Sequence, residues 1–462
     1  MNATRTGMST VDAVVIGGGV SGLVVARRLV AAGAEVAVLE ARPQVGGRTL
    51  LTRAAEVTVD QGGQWLGTNM GPLRELLAEL GIGTNSNPSL RDPGAGNIWH
   101  RDGSRNTYEG DLPPLSENAT IELLTAIGAL QDVAADVEVG NPWDSARAVE
   151  LDSTTLEHWL SEHVADEDVR YLLTQTFTLN LGAPPAQMSL LYAAWFLNGV
   201  GGFEAMASSE AERISGGAGS IAHALAAGLG DRVRCDWPVR TIEHSGDGVR
   251  VIGLNGDEIT AARVVVAMSP ADARHIEFRP HLPTSRQLLQ RNWQQFAAVK
   301  FHAIYDRPFW RDEGLSGAVL SDLPPAPIVL DDSPDDGSAG VLVGLLGVHG
   351  PRLLGGNEPE LLDDPQRLRA AVLNALTAYF GERAGEPIEF LTRNWAVEPY
   401  ISGAIATTPP GLLSAHGAAL RPAVGPIHWA GSETATRWAG WISGAIEAGE
   451  RAAGEVAAAL SR

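Results

Sequence analysis

The sequence predicts an α/β fold built on parallel strands joined by helices. Residues 11–16 form a short apolar run rich in β-branched side chains, which predicts a buried strand ending at a run of glycines. Residues 21–32 predict a helix that ends at Gly33, and residues 35–39 predict a second buried strand that ends at Glu40. This order forms a βαβ unit, which requires parallel strands. Further segments of the same kind are a helix at 221–229 and strands at 249–254 and 263–267.

A glycine pattern follows the first predicted strand. Gly17, Gly19 and Gly22 have the spacing Gly-x-Gly-x-x-Gly, and Glu40 ends the next strand. The first glycine permits a tight turn, the second lets the backbone approach a pyrophosphate, and the third lets helix and strand pack closely. The helix N-terminus, with Ser21 in its first turn, offers unpaired N–H groups to phosphates, while Glu40 can accept hydrogen bonds from a ribose. These residues predict a dinucleotide site rather than a glycine turn without a ligand.

The segment after Glu40 indicates which dinucleotide is bound. Arg42, the paired glycines ending at Gly47, and Arg48 form a loop that can fold over a diphosphate. Arg48 would then donate charge-assisted hydrogen bonds to the diphosphate. The alternative is an arginine in a surface turn. This loop resembles the second dinucleotide signature of the FAD-dependent amine oxidase superfamily. The resemblance implies FAD, bound by Arg42, Gly47 and Arg48, and a Rossmann-like FAD-binding domain interleaved with an α+β substrate domain.

Residues 59–67 are similar to the stretch that passes the flavin ring in bacterial monoamine and putrescine oxidases. Gly62 and Gly63 are adjacent and would let the backbone pass close to a flat ring, and Gln64 and Trp65 follow them. Taken alone, the segment predicts a plain glycine turn equally well. With the resemblance, Gly63, Gln64 and Trp65 are expected to contact FAD.

Lys300 lies in a predicted strand at residues 296–305, on the face that alternation shares with His302. A lysine is costly to bury without a partner or water, so a lysine that reaches solvent from an edge strand is the alternative. The stretch is similar to the one that bears the flavin lysine of the amine oxidases, whose ammonium holds a water against flavin N5 and assists the oxygen reaction. The resemblance implies that Lys300 is catalytic.

The C-terminal residues 429–453 match the closing motif of the monoamine oxidases almost residue for residue. The resemblance places Gly431 and Glu433 beside the cofactor, with Glu433 on ribityl or ribose hydroxyls. A helix is predicted to begin near Trp441. Its first N–H groups, next to Ile442, would face flavin N1 and the C2 oxygen, where negative charge collects on reduction.

The resemblance also implies positions along the rest of the cofactor. Val239, which follows Trp237-Pro238, matches a valine whose backbone meets the adenine end of FAD. Trp395 matches a tryptophan near the flavin.

The predicted substrate pocket departs from that of the animal monoamine oxidases. Those enzymes attach FAD to a cysteine in the stretch matching residues 400–405, which contains none, so we expect non-covalent FAD. They also flank the amine with two aromatic rings. One ring matches Trp441, which the resemblance makes a catalytic and pocket residue, and the other falls on Ala404 or Ile405. Leu181 matches a further pocket-lining position.

Composition narrows the class of partner. The net charge of −21 at pH 7 disfavours nucleic acid, which needs clustered Lys and Arg. Attraction of cationic amines is one use of this acidity, and solubility is the use we favour. The single cysteine, Cys235, excludes an intrachain disulfide, and no apolar run reaches the ~20 residues of a membrane helix. We expect a cytoplasmic protein without a membrane partner or a metal, and the sequence leaves a homodimer open.

Together these features predict an FAD-dependent amine oxidase. Hydride transfer to flavin N5 would convert an amine to an imine and then to an aldehyde or ketone, while oxygen is reduced to hydrogen peroxide. A putrescine or polyamine oxidase remains open. An L-amino-acid oxidase is disfavoured, because Trp65 stands where those enzymes carry an arginine for the substrate carboxylate, and a flavin-free NAD-binding or non-catalytic module is favoured least. The expected domains are an FAD-binding domain at 9–89, 210–290 and 392–460 and a substrate-binding domain at 90–209 and 291–391.

Overall fold

The computed structural model describes residues 9–246, 248–296, 298–349, 352–353 and 361–461. The helices are α1 (Val20–Ala31), α2 (Gly71–Leu80), α3 (Glu117–Ala135), α4 (Ala148–Asp152), α5 (Leu156–His163), α6 (Glu167–Leu181), α7 (Leu190–Val200), α8 (Phe203–Ala207), α9 (Gly219–Leu229), α10 (Pro270–Ala273), α11 (Thr284–Asn292), α12 (Pro365–Phe380), α13 (Leu412–His416) and α14 (Ile442–Leu460).

The strands belong to two large sheets and to smaller ribbons. They are β1 (Ser9–Ile16), β2 (Val36–Leu39), β3 (Leu51–Ala54), β4 (Val57–Asp60), β5 (Trp65–Leu66), β6 (Thr84–Ser86), β7 (Gly96–Arg101), β8 (Ser104–Tyr108), β9 (Glu212–Ile214), β10 (Val233–Arg234), β11 (Val239–Ser245), β12 (Gly248–Gly253), β13 (Glu258–Ala267), β14 (Glu277–Arg279), β15 (Gln294–Phe296), β16 (Ala298–Tyr305), β17 (Leu315–Ser321), β18 (Ile328–Asp331), β19 (Gly340–His349), β20 (Arg352–Leu353), β21 (Glu389–Asn394), β22 (Ile405–Thr407) and β23 (Ile427–Ala430).

The first large sheet contains the predicted βαβ unit. β1 and β2 are parallel, with Ala13 opposite Val36, and α1 connects them. β13 pairs in parallel with β1 on its other side, and β23 pairs in parallel with β13. Helices cover this sheet, so its central strands are apolar on both faces. The carboxyl ends of β1, β2, β13 and β23 lie at one edge, which is where ligands bind in sheets of this kind. The predicted α/β fold class is therefore confirmed.

The second large sheet has the order β21-β16-β19-β18-β17-β7-β8. β16 is an interior strand, hydrogen-bonded to β19 on one side and to β21 on the other. The edge-strand alternative for Lys300 is therefore wrong. The strand predicted at residues 296–305 is divided between β15 and β16, and Ala297 lies outside the described residues.

The elements between and around these sheets complete the core. α1 packs against α14, so that the first and last helices of the chain lie side by side.

The expected domain limits stay a prediction, and β21 joins the second sheet across the limit expected after residue 391. Among the described residues, no helix has both the length and the apolar character required to cross a bilayer.

Candidate active site

A cavity of about 640 Å³ opens at the carboxyl ends of the parallel strands and extends to β16 and the start of α14. Most of the predicted site residues line it. They are Gly17, Gly19, Ser21, Glu40, Arg42, Gly47, Arg48, Gly63, Gln64, Trp65, Val239, Lys300, Trp395, Ala404, Ile405, Gly431, Trp441 and Ile442. Gly22, Glu433 and Leu181 do not line it, for different physical reasons.

The glycine turn between β1 and α1 forms one end of the cavity. Gly17 has a φ of +108°, which L side chains rarely adopt, and a Cβ on it would lie 2.6 Å from the carbonyl oxygen of Ala267. A Cβ on Gly22 would lie 2.0 Å from the carbonyl oxygen of Gly17, so Gly22 acts through close packing rather than through the cavity. Gly19 caps α1 without a side-chain hydrogen bond, which leaves the first N–H groups of the helix available to an anion.

Two charged residues stabilise the loop that follows β2. Glu40 Oε2 accepts a hydrogen bond from the Gly18 N–H at 2.7 Å, and its Oε1 accepts one from the Arg42 N–H at 2.9 Å. The Arg42 guanidinium donates to the Gly47 carbonyl at 2.7 Å and to Glu398 at 3.1 Å. Arg42 therefore fixes the shape of the loop and lines the cavity with a side chain that is already paired.

Arg48 and Glu433 form a buried ion pair. Arg48 Nη1 lies 2.8 Å from Glu433 Oε1, and Nη2 donates a hydrogen bond to Glu433 Oε2 at 3.0 Å. Burial alone would raise the pKa of Glu433, but Arg48 holds that pKa below its ordinary value. The carboxylate is only 1% exposed. Glu433 therefore lies behind Arg48 and orients it, and its contact with ribityl or ribose hydroxyls stays a prediction.

The loop before α14 meets the same cavity from the other side. Ser21 Oγ accepts a hydrogen bond from the Gly431 N–H at 3.0 Å, which ties this loop to α1. Trp441 caps α14 without a side-chain hydrogen bond, so this helix also presents free N–H groups at its start. The Trp441 ring packs edge-on against Trp438, with ring centroids 5.3 Å apart, and borders the cavity. Two helix N-termini thus converge on one cavity.

Val239 and Trp395, which match residues near FAD in the family, border the cavity between these two ends. Val239 begins β11 and follows Pro238, and the N–H of Trp237 before them donates to the Glu40 carbonyl at 2.8 Å. Trp395 is held by a hydrogen bond from its Nε1 to the Gln61 carbonyl at 2.9 Å.

Lys300 projects from β16 into the wall of the cavity and is 2% exposed. Its Nζ donates to the Gly62 carbonyl at 2.8 Å and to Gln64 Oε1. The ammonium also lies 4.7 Å from the centroid of the Trp65 ring, a cation–π distance. The segment that contains Gly62, Gln64 and Trp65 is therefore the segment that holds Lys300 in place.

Burial lowers the pKa of Lys300 from its ordinary 10.5 to about 8, although Asp60, Asp332 and Glu210 oppose that change. Asp332 Oδ1 accepts a hydrogen bond from Gln64 Nε2 at 2.9 Å, which links this carboxylate to Lys300 through the amide. His302 is buried beside them, and burial together with Lys300 lowers its pKa well below the ordinary value. Lys300 is therefore a buried cation that can lose its proton close to neutral pH.

The end of the cavity next to Lys300 has apolar walls. Leu179 of α6, Leu345 of β19 and Ile405 of β22 line it, and all three also line a smaller cavity of about 30 Å³ beside it. Leu181 is 1% exposed, packs in the core and does not line the cavity, so its place in the substrate pocket stays a prediction. Two residues along an α-helix correspond to about 200°, so Leu181 faces away from the side on which Leu179 meets the cavity.

Sequence reasoning missed several lining residues. Leu179 and Leu345 are apolar and have no pattern that separates them from core residues. Glu210 lies in the short connection between α8 and β9, and no sequence motif predicts its place in the cavity. The described residues contain no group of His, Cys, Asp and Glu side chains that could hold a metal ion.

Comparisons with known proteins agree with this geometry. The family described as flavin containing amine oxidoreductase matches residues 20–457. A Mycobacterium tuberculosis protein named as a flavin-containing monoamine oxidase is 38% identical over 456 residues, covering 98% of this chain and 97% of the other. Putrescine oxidase bound to putrescine is similar at a TM-score of 0.91 and 29% identity, covering 98% of this chain and all of that one. Cyclohexylamine oxidase from Brevibacterium oxydans gives a TM-score of 0.90 at 32% identity, with the same coverage.

Proposed function

Because the chain belongs to the flavin-containing amine oxidoreductases, and is therefore an FAD-dependent enzyme that oxidises amines, we propose that it acts on an amine with an apolar body and passes the electrons to oxygen, forming hydrogen peroxide. The observation behind the oxygen step is the burial of Lys300 in the wall of the cavity. Lys300 is the only lysine in the chain. Unlike arginine, a buried lysine can exchange its proton near neutral pH.

The residues around the cavity fit FAD. Gly19 and Gly47 face each other without side chains, which leaves their backbone accessible to a ligand. A Cβ on Gly19 would lie 3.7 Å from the Gly47 Cα, and one on Gly47 would lie 3.2 Å from the Gly19 Cα. The uncapped start of α1 suits a pyrophosphate, and the uncapped start of α14 suits the side of a flavin where negative charge collects. When bound, FAD supplies the acceptor for the hydride that leaves the carbon beside nitrogen.

The residues that would hold FAD come from both ends of the cavity. They are Gly17, Gly19, Ser21, Glu40, Arg42, Gly47, Arg48, Gly63, Gln64, Trp65, Val239, Trp395, Gly431, Trp441 and Ile442. Gly22 and Glu433 would act indirectly, through the packing of α1 and the orientation of Arg48. None of them is a cysteine, so the bound FAD would be non-covalent.

Lys300 would hold a positive charge where oxygen is reduced. An ammonium has three N–H donors. Among the described residues, two of these donors are bonded to Gly62 and Gln64, which leaves one for a water in the cavity. With a pKa of about 8, Lys300 keeps its proton at neutral pH and can release it in mild base.

The apolar end of the cavity supports an amine with a hydrocarbon body. Trp441 would form one wall and align the substrate, and Leu179, Leu345 and Ile405 would exclude water from it. Ala404 and Ile405 lie where the animal monoamine oxidases carry a second aromatic ring. Without that ring, the substrate pocket of this protein would be wider at this point. After oxidation, the imine would leave and react with water to give an aldehyde or ketone.

The charged residues of the cavity also separate amine from amino-acid oxidation. An amino-acid substrate needs a free arginine for its carboxylate. The arginines that line the cavity within the described residues are Arg42 and Arg48, and each is paired to a glutamate. A peroxide-coupled screen of aryl-alkyl, aliphatic, cyclic and diamine compounds would determine the amine class, with putrescine as the diamine.

The substitution Lys300→Met tests the oxygen step. Stopped-flow spectroscopy would follow anaerobic reduction of the yellow enzyme by amine and its reoxidation by oxygen separately. We expect reoxidation to slow by roughly 100-fold, the scale for loss of one preorganised electrostatic group. Reduction should change much less. Unchanged reoxidation would exclude Lys300 from the oxygen step.

A cytoplasmic location remains a proposal from the sequence, supported by the single cysteine. Cell fractionation would test it, and the oligomeric state would be measured by analytical ultracentrifugation.

A further inference from the structure

Glu210 is a carboxylate of the cavity that has no part in the function proposed so far. Glu210 lies between α8 and β9 and lines the same cavity as Lys300 and Trp65. Its backbone is fixed, since the Glu210 carbonyl accepts a hydrogen bond from Asn87 Nδ2 at 2.9 Å. Its side chain is only partly buried, because it faces the open cavity. Within the described part of the chain, no group donates a hydrogen bond to the Glu210 carboxylate.

The other carboxylates near Lys300 are already occupied. Asp60 accepts hydrogen bonds from the Ala218 N–H at 3.0 Å and the Gly219 N–H at 3.4 Å, at the start of α9. Asp332 accepts one from Gln64 and one from Arg213 at 2.9 Å.

Glu210 differs from both, because its interaction with Lys300 is electrostatic and without a bond. Lys300 itself donates to Gly62 and Gln64. Glu210 is therefore free to pair with a cation that enters the cavity.

We propose that Glu210 binds the ammonium group of the incoming amine and selects cationic substrates over neutral molecules of the same shape. The inference rests on the proposed function, because it takes this cavity as the amine site. Aliphatic amines enter from water at neutral pH as ammonium ions, and an ammonium is expensive to bury without a counter-ion. Leu179, Leu345 and Ile405 cannot supply one. A carboxylate with free acceptor positions can.

The same carboxylate can also receive the proton that the amine must lose. Oxidation at the carbon beside nitrogen requires the nitrogen lone pair, so one N–H bond of the ammonium must break first. Its proton would form an O–H bond on Glu210, leaving a neutral amine and a neutral carboxyl group. Burial raises the pKa of Glu210 to about 7, while Lys300 acts in the opposite direction. A carboxylate of raised pKa is a better proton acceptor than one in water.

Direct binding to the FAD-loaded enzyme would test the proposal without turnover. The probe is 2-phenyl-2-propylamine, which cannot be oxidised because the carbon beside its nitrogen has no hydrogen. The neutral control ligand is 2-phenyl-2-propanol, which has the same shape. Calorimetry would measure both dissociation constants for the wild type, for Glu210→Gln and for Glu204→Gln. Glu204 is an exposed glutamate on α8, so its variant makes the same chemical change away from the cavity.

We expect Glu210→Gln to weaken amine binding by roughly 10- to 100-fold, the range for a hydrogen bond to a charged group. Binding of the alcohol should not change, and Glu204→Gln should resemble the wild type with both ligands. Glu210→Asp should recover part of the amine affinity.

Three results would overturn the proposal. They are unaltered amine binding in Glu210→Gln, an equal loss of both ligands in that variant, and a wild type that does not bind the amine. Peroxide formation from oxidisable amines is a separate measurement on the wild type. The wild type could form no peroxide while Glu210→Gln still weakens binding of the amine alone. That combination would refute oxygen as the acceptor and support the role of Glu210.

Discussion

Lys300→Met should change the pH dependence of stability, because the native fold holds this lysine at a lowered pKa. The pKa falls from an ordinary 10.5 to about 8. At about 1.4 kcal/mol per pH unit, burial of the ammonium costs about 3 kcal/mol while both the folded and unfolded states are protonated. The folded state begins to lose the proton near pH 8, and the unfolded state loses it near 10.5. The unfolded state therefore binds more protons in this window, and the stability of the wild type gains with pH from this group.

Methionine has no proton to lose, so the variant lacks this gain. It also leaves the Gly62 carbonyl and Gln64 without their donor, a cost of about 1–3 kcal/mol that does not vary with pH. The absolute difference between the two proteins at pH 7 is therefore uninformative. The change in that difference is informative. The stability of Lys300→Met minus that of the wild type should fall by about 2–3 kcal/mol between pH 7 and pH 10.

Urea unfolding at saturating FAD at the two pH values would measure this change. Because Lys300 is the only lysine, ¹³C labelling of lysine at Cε gives a single side-chain signal whose titration reports the pKa directly. A titration midpoint above 10, or a stability difference that is constant with pH, would refute the burial argument. Reduced affinity for FAD in the variant would be checked first, since it alters apparent stability by mass action.

The remaining predictions concern the cofactor and the pocket wall. FAD should be non-covalent, because the stretch at 400–405 contains no cysteine; acid precipitation should move all yellow colour into the supernatant, and colour in the pellet would contradict this. Trp441→Ala should retain FAD, because the N–H groups at the start of α14 belong to the backbone. Its turnover should fall by up to ~100-fold, since misplacing a substrate by about 1 Å has an effect of this size. Unaltered turnover with every amine would show that Trp441 does not align the substrate.

The fold around the first sheet could be predicted because its signals are local. The run at 11–16, the glycine turn and Glu40 each constrain the backbone within a few residues, and β1, α1 and β2 lie where these signals place them. The position of β16 could not be predicted in the same way. Its neighbours β19 and β21 come from distant parts of the chain, and an apolar run does not reveal which strands flank it.

Side chains that act through partners were harder to predict than backbone positions. Gly17 and Gly19 line the cavity through their backbone, which the spacing of the motif determines. The matching motif points to Leu181, whereas Leu179 lines the cavity, and two residues along an α-helix correspond to about 200° of rotation. A match to a family motif therefore identifies the segment that lines a cavity better than it identifies the side chain that lines it.

The ion pair of Arg48 and Glu433 shows why the site depends on the whole fold. These residues are 385 positions apart, and the motif at each end of the chain predicts a separate contact with FAD. The structure pairs them, because the loops after β2 and β23 leave the same edge of one sheet and meet at the cavity. Removing Arg48 would leave the buried Glu433 carboxylate without its cation, which costs about 3–5 kcal/mol. The two terminal motifs are thus joined by electrostatics as well as by a common cavity, and neither can be expected to form its half of the site alone.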